Sequence, residues 1–502
     1  MRPELVFGLV GPIGVDMDLV QERLCSSLKS VGYHPETIHL TKVMEQRFPS
    51  PPTVKDDLAI SYSEKINRAN NLRQAISDDV MATLAIAEIR ALRKKRHEDL
   101  GSTELFDPAN ESAPDTAYII RQLKHPAEIK ALKKVYGEKF VQISVALDEQ
   151  TRVRNLANRF GMEASGISPV ECETIARELV ATDNNEKSHP HGQRISKIYP
   201  LADAFIGGRN SETVKRTTQR FIEAFFGKNS IGPTKDEFGA YLAKAAALRS
   251  IDPARQVGAA ILSADGDLIT VGCNEVPKFG GGNYWSDEDN PQRDMEVQTE
   301  SNKVETKRII HDFLKRLEEN QLLAAGRSVN ELFSSDELKE ALDGSKIESI
   351  TEFGRMTHAE MSAITDAARL GRQVSDATLH VTTFPCHNCA KHIIASGIKR
   401  VVYIEPYDKS RASDLHDDAL NVGEAKPGRV TLQHFEGISP RRYRNIFEKE
   451  SRRNKDGSLS EWYEGSAKPR IADNHPFYLS LEAAYIKTSL EGLVDKSENL
   501  EP

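Results

Sequence analysis

Short apolar runs alternate with amphipathic stretches through residues 1–227, and this alternation limits the possible folds more than any other feature. "ELVFGLV" (4–10) reads as a strand, after which Leu19, Val20, Leu24, Leu28 and Val31 recur at helical spacing. "ETIHL", "TAYIIRQL", "KFVQISVAL" and "ADAFIGG" read as further strands, and "VMATLAIAEIRALRKK" (80–95) as a strong helix. Strands joined by helix-length crossovers predict an α/β domain, a parallel sheet with helices on both faces.

A chain of 502 residues is too long for one core. The segment "FGKNSIGPTKDEF" mixes Gly, Pro, Lys and Ser and marks the expected boundary, with the first domain at 1–227 and a linker at 228–236. A second domain is expected over 237–490, with a polar tail at 491–502. It opens on the amphipathic "EFGAYLAKAAALRS". In "VGAAILSADGDLITVGCN" two apolar runs flank Asp265-Gly266, as in a β-hairpin. "ATLHVTTF" and "RVVYIEP" are strands with the helix "CAKHIIASG" between them. The polar stretch from about 278 to 355 is too long for a loop, and "KVETKRIIHDFLKRLEENQLL" within it has helical periodicity, so it reads as an insertion.

Hydrophobic residues make up 39% and charged residues 28%, with a mean hydropathy of −0.49, as in a soluble globular protein. No apolar run is long enough to span a membrane, and the N-terminus lacks the pattern of a signal peptide. The five cysteines suit a reducing cytoplasm. A net charge of −8 argues against a broad nucleic-acid surface while leaving room for a local basic pocket.

The strongest chemical signal is "THAEMSAITDAARL" (357–370) followed by "TTFPCHNCAKHI" (383–394). His358, Cys386 and Cys389 offer one imidazole and two thiolates, a set that suits tetrahedral zinc with a fourth position open to water. Cys386 and Cys389 stand three apart at a helix start, where the positive end of the dipole favours thiolates. Glu360, two residues beyond His358, can serve as the proton carrier without being a ligand. This H-x-E…P-C-x-x-C pattern is the signature of zinc deaminases. A closed structural zinc site would have no use for that carboxylate.

With "RSIDPARQVGAAILSADGDLITVGCNEVP", the same motifs resemble the deoxycytidylate deaminases of the cytidine deaminase fold. The two-part layout resembles a narrower group, the bacterial anti-phage dCTP/dCMP deaminases, in which a P-loop kinase-like domain precedes the deaminase domain. "GGGNYW", "EPYDKS" and "FEGISPRRY" match the style of that group. The resemblance implies one catalytic zinc per chain, held by His358, Cys386 and Cys389, with Glu360 as proton shuttle. It places Asn274 on the sugar 3′-hydroxyl and Arg249, Ser250 and Arg255 around the 5′-phosphate, with Lys409 and Ser410 as weaker candidates. His387 and His392 flank the site without an assigned role, and Cys273 reads as a small buried hydrophobe. Also implied are a free deoxycytidine nucleotide as substrate, cytoplasmic location, a homo-oligomer, no membrane, and regulation by a nucleotide at the N-terminal domain or by an inhibitory RNA or protein. The biological use implied is nucleotide depletion during phage infection.

"AYIIRQLKHPAEIKALKKVYGEKFVQISV" and "GQRISKIYPLADAFI" resemble nucleoside and nucleotide kinases. In "LVFGLVGPIGVDMD" the glycines Gly8, Gly11 and Gly14 preserve the layout of a phosphate-binding loop. Val15 and Asp16 stand where such loops carry lysine and a hydroxyl. Phosphoryl transfer there is not expected, since its charge-stabilising groups are missing; nucleotide binding and a purely structural role both stay open. Two rival readings of the whole chain are a polynucleotide cytosine or adenine deaminase and a nucleotide-sensing switch with a structural zinc.

Overall fold

The computed structural model describes residues 2–49, 58–99, 111–163, 167–323, 327–350, 352–407, 409–449, 451–462, 467–471 and 476–497. The chain divides into two compact units, one formed by Met1–Tyr241 with His434–Pro502 and the other by Leu242–Gln433. The second unit therefore ends near 433 and not at 490. "FEGISPRRY" belongs to the first unit, because Ile438 pairs with Ala204 in its sheet and Arg442 bonds Asp203 at 2.9 Å. Residues 491–497 of the expected tail continue the helix Tyr478–Ser497, and 498–502 lie outside the described residues.

In the first unit the expected alternation forms β1 (Leu5–Val10), β2 (His34–His39), β3 (Thr116–Arg121), β4 (Phe140–Ala146) and β5 (Ala204–Gly207). Their order across the sheet is β5-β4-β1-β3-β2, all parallel, and Gly437–Ile438 adds an antiparallel edge beyond β5. β1 and β4 are buried along their whole length, as strands covered on both faces must be. Leu5, Phe7 and Leu9 on one face of β1 join a core with Leu24 and Leu28 of helix Met17–Ser30 and Phe221 and Phe225 of helix Ser211–Phe225.

The second unit holds a mixed sheet in the order β10-β11-β9-β8-β6-β7, made of β6 (Gly258–Leu262), β7 (Leu268–Cys273), β8 (Thr378–Thr383), β9 (Arg400–Glu405), β10 (Leu420–Val422) and β11 (Val430–His434). β6 and β7 are the expected antiparallel hairpin, with Gly266 of its turn at φ +99°. β8 and β9 run parallel, linked through helix His387–Ala395. The helix Ala359–Arg369 packs on β7 because Gly272 lets it in: a Cβ there would lie 2.3 Å from the Ala359 carbonyl oxygen. Ala359, Ala363, Leu379, Val381 and Ile393 share the core beneath. The inserted helix is present as Ser301–Glu319. No helix among the described residues is long and apolar enough to cross a membrane.

Candidate active site

Two helix N-termini converge in the second unit. His358 is the N-cap of helix Ala359–Arg369, and Cys386 is the N-cap of helix His387–Ala395, where its sulfur accepts from the Cys389 N–H at 3.4 Å. His358 Nδ1 lies 3.3 Å from Cys389 Sγ and 3.4 Å from Cys386 Sγ, and the three donor atoms all fall within 4.8 Å of one another. Edges of a tetrahedron around zinc with one nitrogen and two sulfur ligands are about 3.5–3.8 Å, so the donor set fits that ion. The hydrogen bond with Cys389, helped by His358, holds the Cys386 thiol down at about 4, as a metal-ready thiolate. The same bond, with burial, pushes the Cys389 thiol upward. Glu360 sits one residue inside its helix and is 4% exposed; burial, then the Cys386 thiolate, pushes its carboxyl above the usual range.

These groups open on a cavity of about 270 Å³. Its wall includes His358, Glu360, Cys386, Phe384, Tyr407 and Asn274, with Arg255 and Lys409 as cations and Asp252 as an anion. The Arg255 guanidinium lies over the Tyr407 ring, 5.0 Å from its centroid. The insertion supplies another part of the wall through Asp294, Glu300, Asn302, Gly354 and Met356. Sequence reasoning missed this contribution, as no motif in 278–355 points to the site. Tyr407 lies inside the quoted "EPYDKS" and carried no assigned role; Asp408 of that motif lies outside the described residues.

Of Arg249, Ser250 and Arg255, only Arg255 reaches the cavity wall. The Arg249 guanidinium lies on the Trp285 ring at 3.7 Å and its Nη2 donates to the carbonyls of Asn283 and Tyr284, so it braces the insertion's first segment. Ser250 is fully buried, and its hydroxyl oxygen accepts from the Asp252 N–H. Both residues lie in the turn beyond helix Lys235–Ala247, and neither is in the cavity lining. Lys409 lines the cavity, whereas the Ser410 hydroxyl donates to the Pro385 carbonyl and shapes a turn. His387 lines the cavity; His392 is exposed and bonds the Asn388 carbonyl. Cys273 is buried, as expected.

The N-terminal glycines have other tasks. Gly8 lies within β1, where a Cβ would meet Leu123 and Phe140 at 2.7 Å, so it serves packing and not the loop. Gly11 makes room for Met17, and Gly14, at φ +93°, lies against the Arg152 carbonyl. The loop's Ile13 N–H donates to Asp183 Oδ2 at 2.7 Å. Lys124 Nζ bonds both Asp183 Oδ1 (2.6 Å) and the Gly11 carbonyl (2.9 Å). Asp16 caps the following helix through the Leu19 N–H. A protein carboxylate thus occupies the cradle.

Residues 233–405 match the family model of the cytidine and deoxycytidylate deaminase zinc-binding region. The deoxycytidylate deaminase of Enterobacteria phage T4 is 54% identical over 67 residues, 13% of this chain and 34% of that protein. The human deoxycytidylate deaminase is 27% identical over 168 residues, 34% of this chain and 62% of that protein. The chain thus spans less than two thirds of these relatives. The solved dCMP deaminase of cyanophage S-TIM5 aligns with 41% of this chain and 100% of its own, at 16% identity and a TM-score of 0.23, a likeness too slight to carry an argument. Residues 233–405 correspond to the zinc-binding region of the cytidine and deoxycytidylate deaminases, and the cofactor is one catalytic zinc, for which His358, Cys386 and Cys389 are the matching donor set.

Proposed function

We propose that this chain is a hydrolase that converts free deoxycytidine nucleotides, dCMP or dCTP, to the deoxyuridine nucleotide and ammonia. The observation that carries this reading is the meeting of the His358–Cys386–Cys389 donor set with the buried Glu360, on a cavity whose rim holds Arg255 and Lys409. Bound zinc supplies the Lewis acidity that makes water nucleophilic near neutral pH. Water adds at C4 of cytosine, the C4–N4 bond breaks, and ammonia leaves. Glu360 takes a proton from the attacking water and passes it to ring N3, then takes the remaining proton from the hydroxyl added at C4 and delivers it to the departing nitrogen. A carboxyl pushed upward by burial is suited to hold a proton between those transfers. Incubation of purified protein with dCMP, dCTP, deoxycytidine and a cytosine-bearing single strand, followed by chromatography, tests the reading. Conversion of a nucleotide is expected, and a preference for the strand would overturn it.

The family resemblance extends this proposal to nucleotide depletion in phage-infected cells, a homo-oligomer and control by RNA or protein. At the first unit's loop we expect no phosphoryl transfer, since Asp183 and Lys124 satisfy each other there. A regulatory nucleotide would have to take the Ile13 N–H and the Lys124 ammonium from Asp183. Transfer of radiolabelled phosphate from ATP to deoxynucleosides would refute the non-kinase reading.

A further inference from the structure

A second cavity, of about 380 Å³, opens in the first unit, against about 270 Å³ for the candidate active site. The proposed reaction makes no use of it. Three segments wall it: the turn 76–79 between helices Leu58–Ala75 and Val80–Asp99, the last turn of helix Pro126–Tyr136, and helix Tyr478–Ser497. On that last helix Leu481, Ala484, Tyr485 and Thr488 follow at spacings of one helical turn or less, so a single face lines the cavity over two turns. Ile76 and Val135 complete its apolar part.

The polar groups around this cavity satisfy one another, with one exception. Asp79 accepts at Oδ1 from the Ser77 hydroxyl and at Oδ2 from the Tyr485 hydroxyl. Thr488 Oγ1 donates to the Ala484 carbonyl (3.0 Å), and Ser489 Oγ accepts from Thr83 Oγ1 (3.4 Å). Lys134 is the exception. Its ammonium lies 5.9 Å from the centroid of the Tyr485 ring and has no hydrogen-bond or ion-pair partner among the described residues. The one carboxylate in the wall is thus already held by two hydroxyls, and the charge left open to a guest is positive. An anionic head gains a charge-assisted hydrogen bond there. An apolar body displaces water from the aliphatic wall, in a space large enough for a small organic molecule.

We propose that this cavity binds an anionic amphiphile, a molecule with one acidic head on an apolar body. The head pairs with Lys134, and the body lies along Ile76, Val135, Leu481 and Ala484. Such a guest bridges helix Pro126–Tyr136 and helix Tyr478–Ser497, so its binding stabilises the first unit. The site stands independently of the deaminase reading.

The test is a fluorescence titration of the full chain with anilinonaphthalene sulfonate, an aromatic amphiphile with one anionic head. One saturable site per chain is expected, with a rise in melting temperature at saturation, followed by circular dichroism. Dodecanoate should compete for it, and dodecanol about tenfold less well, as for the loss of one charged hydrogen bond. K134E changes an exposed position and should weaken both anions at least tenfold while leaving dodecanol as it was. A484W should fill the cavity and abolish the site; A484F, at the same exposed position, repeats the test should A484W fail to fold. Undiminished binding in a folded A484W or A484F protein would place the probe elsewhere. Equal competition by dodecanol and dodecanoate, or an unchanged affinity in K134E, would show that Lys134 does not read the head. Either result, or the absence of saturable binding, overturns the proposal.

Discussion

In the proposed reaction the carboxyl of Glu360 carries protons and does not hold the ion. Glu360→Gln should therefore keep one zinc per chain and lose about 10²–10⁴-fold in turnover, read by metal analysis and a deamination assay on one sample. An active E360Q enzyme would refute the mechanism. The meeting of His358, Cys386 and Cys389 was legible in the sequence because ligand chemistry sets both residue type and spacing. What spacing did not show is that Arg249, in the turn beyond helix Lys235–Ala247, braces the insertion instead of lining the cavity. His434 shows how far desolvation beside a cation can move a group. It is held down at about 3 by burial and then by Arg152, and packs edge-on near Tyr199. Between about 3 and its ordinary 6.5 the unfolded chain binds one more proton at this site than the folded one. Stability should thus fall as pH falls through that window, by about 1.4 kcal/mol per pH unit. Urea unfolding at pH 7, 6, 5 and 4 should show a shallower slope for H434Q, whatever its offset; an unchanged slope would count against a neutral buried histidine.

At the level of elements, the hairpin β6–β7, the helix carrying His358 and the β8–helix–β9 unit were all legible from periodicity and turn chemistry. What could not be read was how closely they approach. Gly272 looks like any strand glycine, yet a Cβ there would come within 2.3 Å of the Ala359 carbonyl and 2.5 Å of the Ala363 nitrogen. Thr270 Oγ1 also donates to the Ala363 carbonyl at 2.9 Å, fastening the same helix to β7. G272A should displace the helix that presents His358 and Glu360. A shift of about 1 Å at a reacting centre costs on the order of 10²-fold in rate. The expected result is a folded protein with circular dichroism near wild type, weaker zinc retention on dialysis and much lower activity; full activity would show that the packing can relax. The insertion poses the same problem in another form. Asn302 bonds the Ile350 carbonyl at 2.7 Å and accepts from the Phe353 N–H at 3.3 Å, joining the start of the inserted helix to the segment that brings Gly354 and Met356 to the cavity. Contacts across some fifty residues leave no trace in a helical repeat, which is why the helix was foreseen and its use was not.

At the scale of the whole molecule, the domain limits drawn from composition failed at the C-terminal end, where partners lie hundreds of positions apart. Arg93, fully buried, donates through Nε to Glu4 and through Nη1 and Nη2 to the two oxygens of Glu482, each at 2.8 Å. Glu4 also accepts from the Ala113 N–H and from the hydroxyls of Tyr118 and Tyr478. One arginine thus joins the residue before β1 to the helix Tyr478–Ser497, closing the first unit from both ends of the chain. An arginine in the middle of "AIAEIRALRKK" looks like part of a solvated helix face, and nothing local marks it as buried. Desolvating three charges is costly, so this cluster is not expected to add much net stability over apolar residues of the same shape. Breaking it is another matter. R93M leaves two carboxylates buried without their cation and should destabilise the first unit by about 3–5 kcal/mol. R93M/E482L removes one of the two stranded carboxylates, leaves Glu4 with its backbone and tyrosine donors, and should regain more than half of that loss. Urea unfolding of the three proteins measures both effects, and zinc content should stay at the wild-type value throughout, since every donor lies within Leu242–Gln433. An R93M protein within about 1 kcal/mol of wild type would mean that the buried cluster adapts by taking up protons, and that the C-terminal helix is held by its apolar face instead.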